Sequence, residues 1–397
     1  MEHQGGLRMN LLSLDGGGIR GLSSLFILQN VMEKIRFIHD LSAEPLPCNY
    51  FDMICGTSTG GIIALMLGRL RMSVTECIAA YLTMSEKVFG QPQDFTKREK
   101  FDPQALEEAI KTAVEQKIGD PDAPLQDATG CKTFVCAYES KALGGSPVLL
   151  RTYQTGSAPI SCTIWEAARA TSAAPTFFPP IKFGSQTGGD FIDGGIGCNN
   201  PTKVLIKEAK SYYRMKAYKA TQPTCLVSIG TGQKDLIQLH RAASIFWFKD
   251  RSGLSIAPAL GKIATDCENT HDEVFLTYLE NDARDRYYRF NVPQGMQEIL
   301  LDEWRKKDDI KAYTDKYLRL NQTEQELLDC VKYLNYPPPR VLETQGSQYQ
   351  SGQERLSPQR LQITQGGSSF QAPNLVFGSS QLQGNFVGLE QPLSRQR

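Results

Sequence analysis

Ser58 stands at the centre of Gly56-Thr57-Ser58-Thr59-Gly60, between a short apolar run and a stretch with helical spacing. A serine on a sharp strand-to-helix turn has its hydroxyl pushed out at the end of a sheet. Glycines two residues to either side, here Gly56 and Gly60, are needed because side chains there would collide with neighbouring backbone. The same pattern also fits a serine that only caps the following helix. A nucleophilic hydroxyl requires a base, and Asp193-Gly194-Gly195, after Gly189-Asp190-Phe191-Ile192, offers a carboxylate that burial could make basic enough. Taken alone, Asp-Gly is also an ordinary turn. The third group is Asp15-Gly16-Gly17-Gly18-Ile19-Arg20-Gly21. Glycines between a strand and a helix leave backbone N–H groups bare at the positive end of the helix, which suits a phosphate or a transient oxyanion. Gly16-x-Gly18-x-x-Gly21 satisfies the dinucleotide-binding pattern as well. That reading makes the chain an oxidoreductase, but neither Glu33 nor Asp40 ends a second strand to hold a ribose, and Ser58 and Asp193 are left without a role.

Strand-like and helix-like segments alternate around these residues, which predicts an α/β fold with a largely parallel sheet. Strands are expected at Asn10–Leu14, Phe51–Cys55, Thr133–Tyr138, Val148–Tyr153 and Cys225–Ile229, and helices at Leu22–Ile38 and Gly60–Arg71. Ser73 with Glu76, and Thr163 with Glu166, have the spacing of capping boxes, predicting helices to about Val88 and over Ile164–Thr171. Asp102-Pro103 opens a further helix that Gly119 is placed to end. Each of the three motifs then falls at a strand end, where open α/β sheets bind their ligands.

In this order the motifs resemble those of the patatin-like phospholipase family, over roughly residues 11 to 229. Asp15–Gly21 is similar to the family's oxyanion loop, Gly56–Gly60 to its nucleophile elbow and Asp193–Gly195 to its Asp-Gly-Gly motif; Ala170–Pro179, Asn199-Asn200-Pro201 and Ser228–Gly232 resemble further signatures. The resemblance implies a three-layer α/β/α fold and a serine hydrolase that cleaves acyl esters of lipids with a Ser-Asp dyad, without metal or cofactor. It makes Ser58 the nucleophile and Asp193 the base. Gly17 and Gly18 would be the oxyanion donors, with Gly16 keeping their loop open. Arg20 would either fix that loop or attract a lipid phosphate, its alternative being a surface arginine that orders the turn. A lipid-binding pseudoenzyme would keep the fold without turnover, but intact Ser58 and Asp193 argue against it. Sequence order also allows a triad through His240 or His271; the Asp-Gly-Gly context favours the dyad.

The whole chain of 397 residues balances 43 basic against 43 acidic side chains, so it has no surplus of cations with which to bind nucleic acid. Its first ten residues lack a signal sequence, Glu2 excludes myristoylation and the last four residues hold no prenylatable cysteine. Ten cysteines without CxxC pairs read as free thiols in a reducing compartment. The expectation is a cytoplasmic protein, peripheral at membranes at most. Ile245-Phe246-Trp247-Phe248, flanked by Arg241, Lys249 and Arg251, is a candidate interfacial anchor or a piece of core. Beyond Val341 the chain has 12 Gln, 8 Ser and 7 Gly but no Lys, Asp or Trp. Residues 8–335 are therefore expected to form one domain and 336–397 a linker or disordered tail. Asn385–Leu393 faintly resembles the opening of a nucleotide-binding oligomerisation ATPase module, with Leu389 where arginine is usual.

Overall fold

Apolar side chains alternate between the two faces of the central strands, and both faces are covered. Leu12, Leu14, Ile54, Val135 and Val227 enter one core, while Leu11, Met53, Phe134 and Leu226 enter the other. Such burial on both sides is what makes these strands read as nearly continuous apolar runs. The computed structural model describes residues 9–90, 99–142, 145–156, 160–183, 189–215, 223–233 and 257–334. The strands are β1 (Asn10–Leu14), β2 (Met53–Thr57), β3 (Lys132–Glu139), β4 (Val148–Arg151), β5 (Ile181–Lys182), β6 (Asp190–Asp193), β7 (Cys225–Ile229) and β8 (Tyr287–Phe290). They form one sheet in the order β5-β6-β3-β2-β1-β7-β8, with β4 paired to β3. The pairs β3–β2, β2–β1, β1–β7 and β7–β8 are parallel, and β4, β5 and β6 run antiparallel to their neighbours.

Helices α1 (Gly21–Ile38), α2 (Pro47–Tyr50), α3 (Thr59–Ala64), α4 (Val74–Phe89), α5 (Pro103–Ile118) and α6 (Ile164–Thr171) are followed by α7 (Gly195–Cys198), α8 (Thr202–Met215), α9 (Ala257–Glu280), α10 (Lys307–Leu318) and α11 (Asn321–Leu334). α1, α4, α5, α6, α10 and α11 pack on the first face, and α8 and α9 on the second. The result is a mostly parallel α/β sheet with helices on both sides, as expected. Both capping boxes form, Asp102 caps α5 from its side chain, and Gly119 closes it at φ 79°.

Three elements differ from expectation by two residues or more. The second strand runs Met53–Thr57 rather than Phe51–Cys55 because the Phe51 N–H is taken by the Pro47 carbonyl, closing α2, and pairing with β1 begins at Met53. The helix expected over Gly60–Arg71 is α-helical only over Thr59–Ala64 and continues as a π turn over Leu65–Arg69. β4 stops at Arg151, since the Thr152 side chain turns back to accept from Thr133 N–H. The ten cysteines form no disulfide, and seven are buried. Residues 336–397, the aromatic run at 245–248 and His240 lie outside the described residues.

Candidate active site

β2 delivers Ser58 to a backbone conformation that an L-residue rarely adopts, φ 54° and ψ −127°. Such conformations cost roughly 1–3 kcal/mol and persist where their surroundings over-determine them. Those surroundings are glycine. A Cβ on Gly56 would lie 2.0 Å from the Gly60 carbonyl oxygen, and one on Gly60 would lie 2.3 Å from the Leu14 oxygen. Thr171, at the end of α6, accepts the Ser58 N–H at 2.9 Å and donates its own hydroxyl to the Cys136 carbonyl at 2.6 Å, tying the elbow to β3.

β6 runs beside β3, with Asp193 opposite Ala137, and brings its carboxylate to the elbow. The Ser58 hydroxyl donates to Asp193 Oδ2 at 2.6 Å, and the Gly195 N–H donates to Oδ1 at 2.6 Å. Gly194 leaves no room for a side chain, whose Cβ would be 2.4 Å from the Cys136 oxygen. Asp193 is 4% exposed, and burial raises its pKa to about 7 against the opposing pull of its bonds from Ser58 and Gly195. This carboxyl exchanges its proton near neutral pH. Among the described residues neither Ser58 Oγ nor the Asp193 carboxylate bonds to a histidine; His271, on α9, instead has its Nδ1 3.0 Å from the Tyr287 hydroxyl.

The glycine loop after β1 lies against the same elbow. Gly18 has φ 54°, and a Cβ there would be 2.2 Å from the Leu301 carbonyl oxygen. Among the described residues the Gly17 and Gly18 N–H groups meet no acceptor. Gly16 differs. Its N–H is spent on the Asn199 carbonyl at 3.1 Å, so it is a strut of the loop rather than a donor to a ligand. Arg20 is 2% exposed, which is at odds with a surface arginine or an open phosphate site and leaves the loop-fixing alternative, and burial lowers its pKa to about 10.

Beneath the loop is a charged cluster that the sequence reading missed. Arg289 of β8 donates to Asp15 Oδ2 at 2.7 Å, to Glu268 Oε1 at 2.9 Å and to Ser228 Oγ at 2.9 Å. Burial raises the Asp15 pKa to about 6 despite the guanidinium beside it. Burial alone would lower the pKa of Arg289, but the Asp15 and Glu268 carboxylates outweigh it and hold the arginine protonated. Its absence from the motif reading is understandable: a lone arginine far beyond the last motif meets Asp15 only because β8 and β1 flank β7.

Ser58 and Gly18 open onto an apolar cavity whose walls include Ile62, Tyr81, Met84, Val88, Leu106 and Phe178. Tyr81 fixes the near end by donating to the Gly18 carbonyl at 2.8 Å. Among the described residues no three His, Cys, Asp or Glu side chains gather as metal ligands, and no helix is long and apolar enough to cross a membrane.

Comparison with known proteins gives a consistent picture. Over 342 residues the chain is 29% identical to calcium-independent phospholipase A2-gamma of Rattus norvegicus, covering 81% of this chain but 40% of that protein. Over 319 residues it is 26% identical to patatin-like protein 1 of Arabidopsis thaliana, covering 72% and 75%. Intracellular phospholipase A2 of Caenorhabditis elegans is 30% identical over 239 residues, 57% of this chain and 20% of that protein. The chain thus spans about 40% of the length of the mammalian relatives it matches. Residues 12–206, which carry the elbow, the glycine loop and Asp193, match the patatin-like phospholipase family model and form a domain of that family.

Proposed function

We propose that the chain is a serine lipid acyl hydrolase that cleaves acyl esters of glycerophospholipids or related lipids through a Ser58–Asp193 dyad. The observation that carries this reading is the 2.6 Å bond from the Ser58 hydroxyl to a buried carboxylate with a pKa of about 7. The acyl chain lies in the apolar cavity beside Ser58. Ser58 Oγ bonds to the ester carbonyl carbon as its proton passes to Asp193. The carbonyl oxygen becomes an oxyanion that the Gly17 and Gly18 N–H groups receive. Collapse breaks the bond to the alcohol oxygen, which takes the proton from Asp193 and leaves as a lysolipid. Water then attacks the acyl-enzyme, giving its proton to Asp193. The fatty acid departs, and Ser58 Oγ recovers that proton. No cofactor or metal enters these steps. We place this activity in a reducing, cytoplasmic setting with peripheral contact at membranes, in keeping with ten cysteines that form no disulfide.

A fluorophosphonate probe tests the nucleophile directly. It should label the native chain, and a folded Ser58→Ala variant should be unlabelled and release no fatty acid from mixed phospholipid vesicles. Equal labelling of the two proteins would refute the assignment. A native protein that takes the probe but leaves the vesicle lipids intact would move the substrate outside this lipid class.

A further inference from the structure

The peptide that joins Gly16 to Gly17 is held by side chains from two distant parts of the chain. The Gly16 carbonyl accepts from Asn199 Nδ2 at 3.2 Å and from Thr231 Oγ1 at 2.9 Å, which occupies both of its lone pairs. By contrast, among the described residues the next carbonyl, of Gly17, accepts only the Arg20 N–H at 3.2 Å, a local turn bond. The Gly16 C=O and the Gly17 N–H belong to one planar trans unit and point in opposite directions. Two donors that fix the carbonyl therefore also fix where the Gly17 N–H points. They draw electron density toward the oxygen too, and hydrogen bonds in such chains strengthen one another.

We propose that Asn199 and Thr231 are positioning residues: by clamping the Gly16 carbonyl they aim the Gly17 N–H at the developing oxyanion and make it a stronger donor. The proposal rests on the reading of Gly17 as an oxyanion donor and adds residues to which that reading gave no role. Thr231 follows β7 and is 5% exposed, and its hydroxyl is committed to Gly16. Asn199 follows α7, on the segment that begins with Asp193, and also returns its backbone carbonyl to the Gly16 N–H at 3.1 Å. The base and the clamp thus share one short segment, so that movement of one is felt by the other.

The test uses a water-soluble short-chain aryl ester and its thionoester, whose sulfur is a weak hydrogen-bond acceptor. Removing an oxyanion donor outright costs about 10²- to 10³-fold in kcat. A misaimed donor should cost less than outright removal but still about tenfold or more. Folded Thr231→Val and Asn199→Ala should each lose this much kcat with KM little changed, and their preference for ester over thionoester should narrow. Thr231→Ser keeps the donor and should recover most of the turnover and the parental preference. A merely structural clamp would shift the melting temperature and leave the preference intact. Thr231→Val and Asn199→Ala are independent, and either one in folded form decides. Unchanged kcat and preference in either would overturn the proposal, as would a folded Thr231→Ser below about a tenth of parental turnover, since its donor is retained. Ser58→Ala, run alongside, separates the two levels: if it still turns over the ester, the dyad reading fails, whereas if it is inactive and the clamp variants are unaffected, only the clamp fails.

Discussion

Asp193 shows what burial does to a single carboxylate. In water its pKa would be 3.8; at 4% exposure it rises to about 7, although Ser58 and Gly195 both donate to it. A base must be ionised to work, so kcat/KM on a soluble ester should climb as pH rises through about 7. A flat profile from pH 5 to pH 9 would contradict that role. The stability consequence has the opposite sign. Between its unfolded and folded pKa values this group binds more protons in the native state than in the unfolded one, so its contribution to stability falls as pH rises from about 4 to about 7. Asp193→Asn removes that slope. The inactive variant should therefore melt at least as high as the parent at pH 8, with its relative advantage shrinking toward pH 4. A variant that melts well below the parent at pH 8 would mean that the carboxylate contributes to stability as well as to chemistry.

Elements make the site by being placed side by side, and this is where sequence and structure part. The elbow, the Asp-Gly-Gly turn and the glycine loop were legible because each is a run of adjacent residues with its own pattern, although the atoms that exclude side chains at Gly16, Gly17, Gly18 and Gly194 come from distant parts of the chain. The capping boxes at Ser73 and Thr163 were legible for the same reason. Arg289, Glu268 and Leu301 were not, because their positions depend on which strand lies beside β7 and on what folds over Gly18. Nor did the sequence distinguish a buried Arg20 from an exposed one, since a single arginine carries no periodicity. The Arg289–Asp15 pair bears most directly on stability. Both side chains are at least 96% buried, and removing one partner leaves the other charge uncompensated. Arg289→Met should lose about 3–5 kcal/mol of unfolding free energy at neutral pH, read as a lower urea midpoint. An unchanged midpoint would mean that Asp15 and Glu268 find other partners.

The apolar cavity exists only in the assembled molecule. Its lining comes from the loop after β1, from α3, α4 and α5, from the turn after α6, and from Leu301 near the end of the described fold. Leu301 lies outside the stretch matched by the family model, so that part of the wall is not contained in residues 12–206. α4 gives the cavity a direction. Tyr81, at one end, bonds to Gly18 beside the reactive serine; Val88, seven residues later, is about 10 Å farther along the helix axis at 1.5 Å per residue. Val88 is 2% exposed and lines the cavity, so a larger side chain there shortens the space available without approaching Ser58. In a matched series of acyl esters, Val88→Phe should lower kcat/KM for long chains relative to short ones, moving the optimum to shorter acids. A phenyl ring that cannot be accommodated costs roughly 1–3 kcal/mol in a packed site, enough to change that ratio by about tenfold. Uniform loss at every chain length would indicate that the substitution disturbs the fold or the dyad instead. An unchanged optimum in a fully active variant would place the acyl chain outside this cavity.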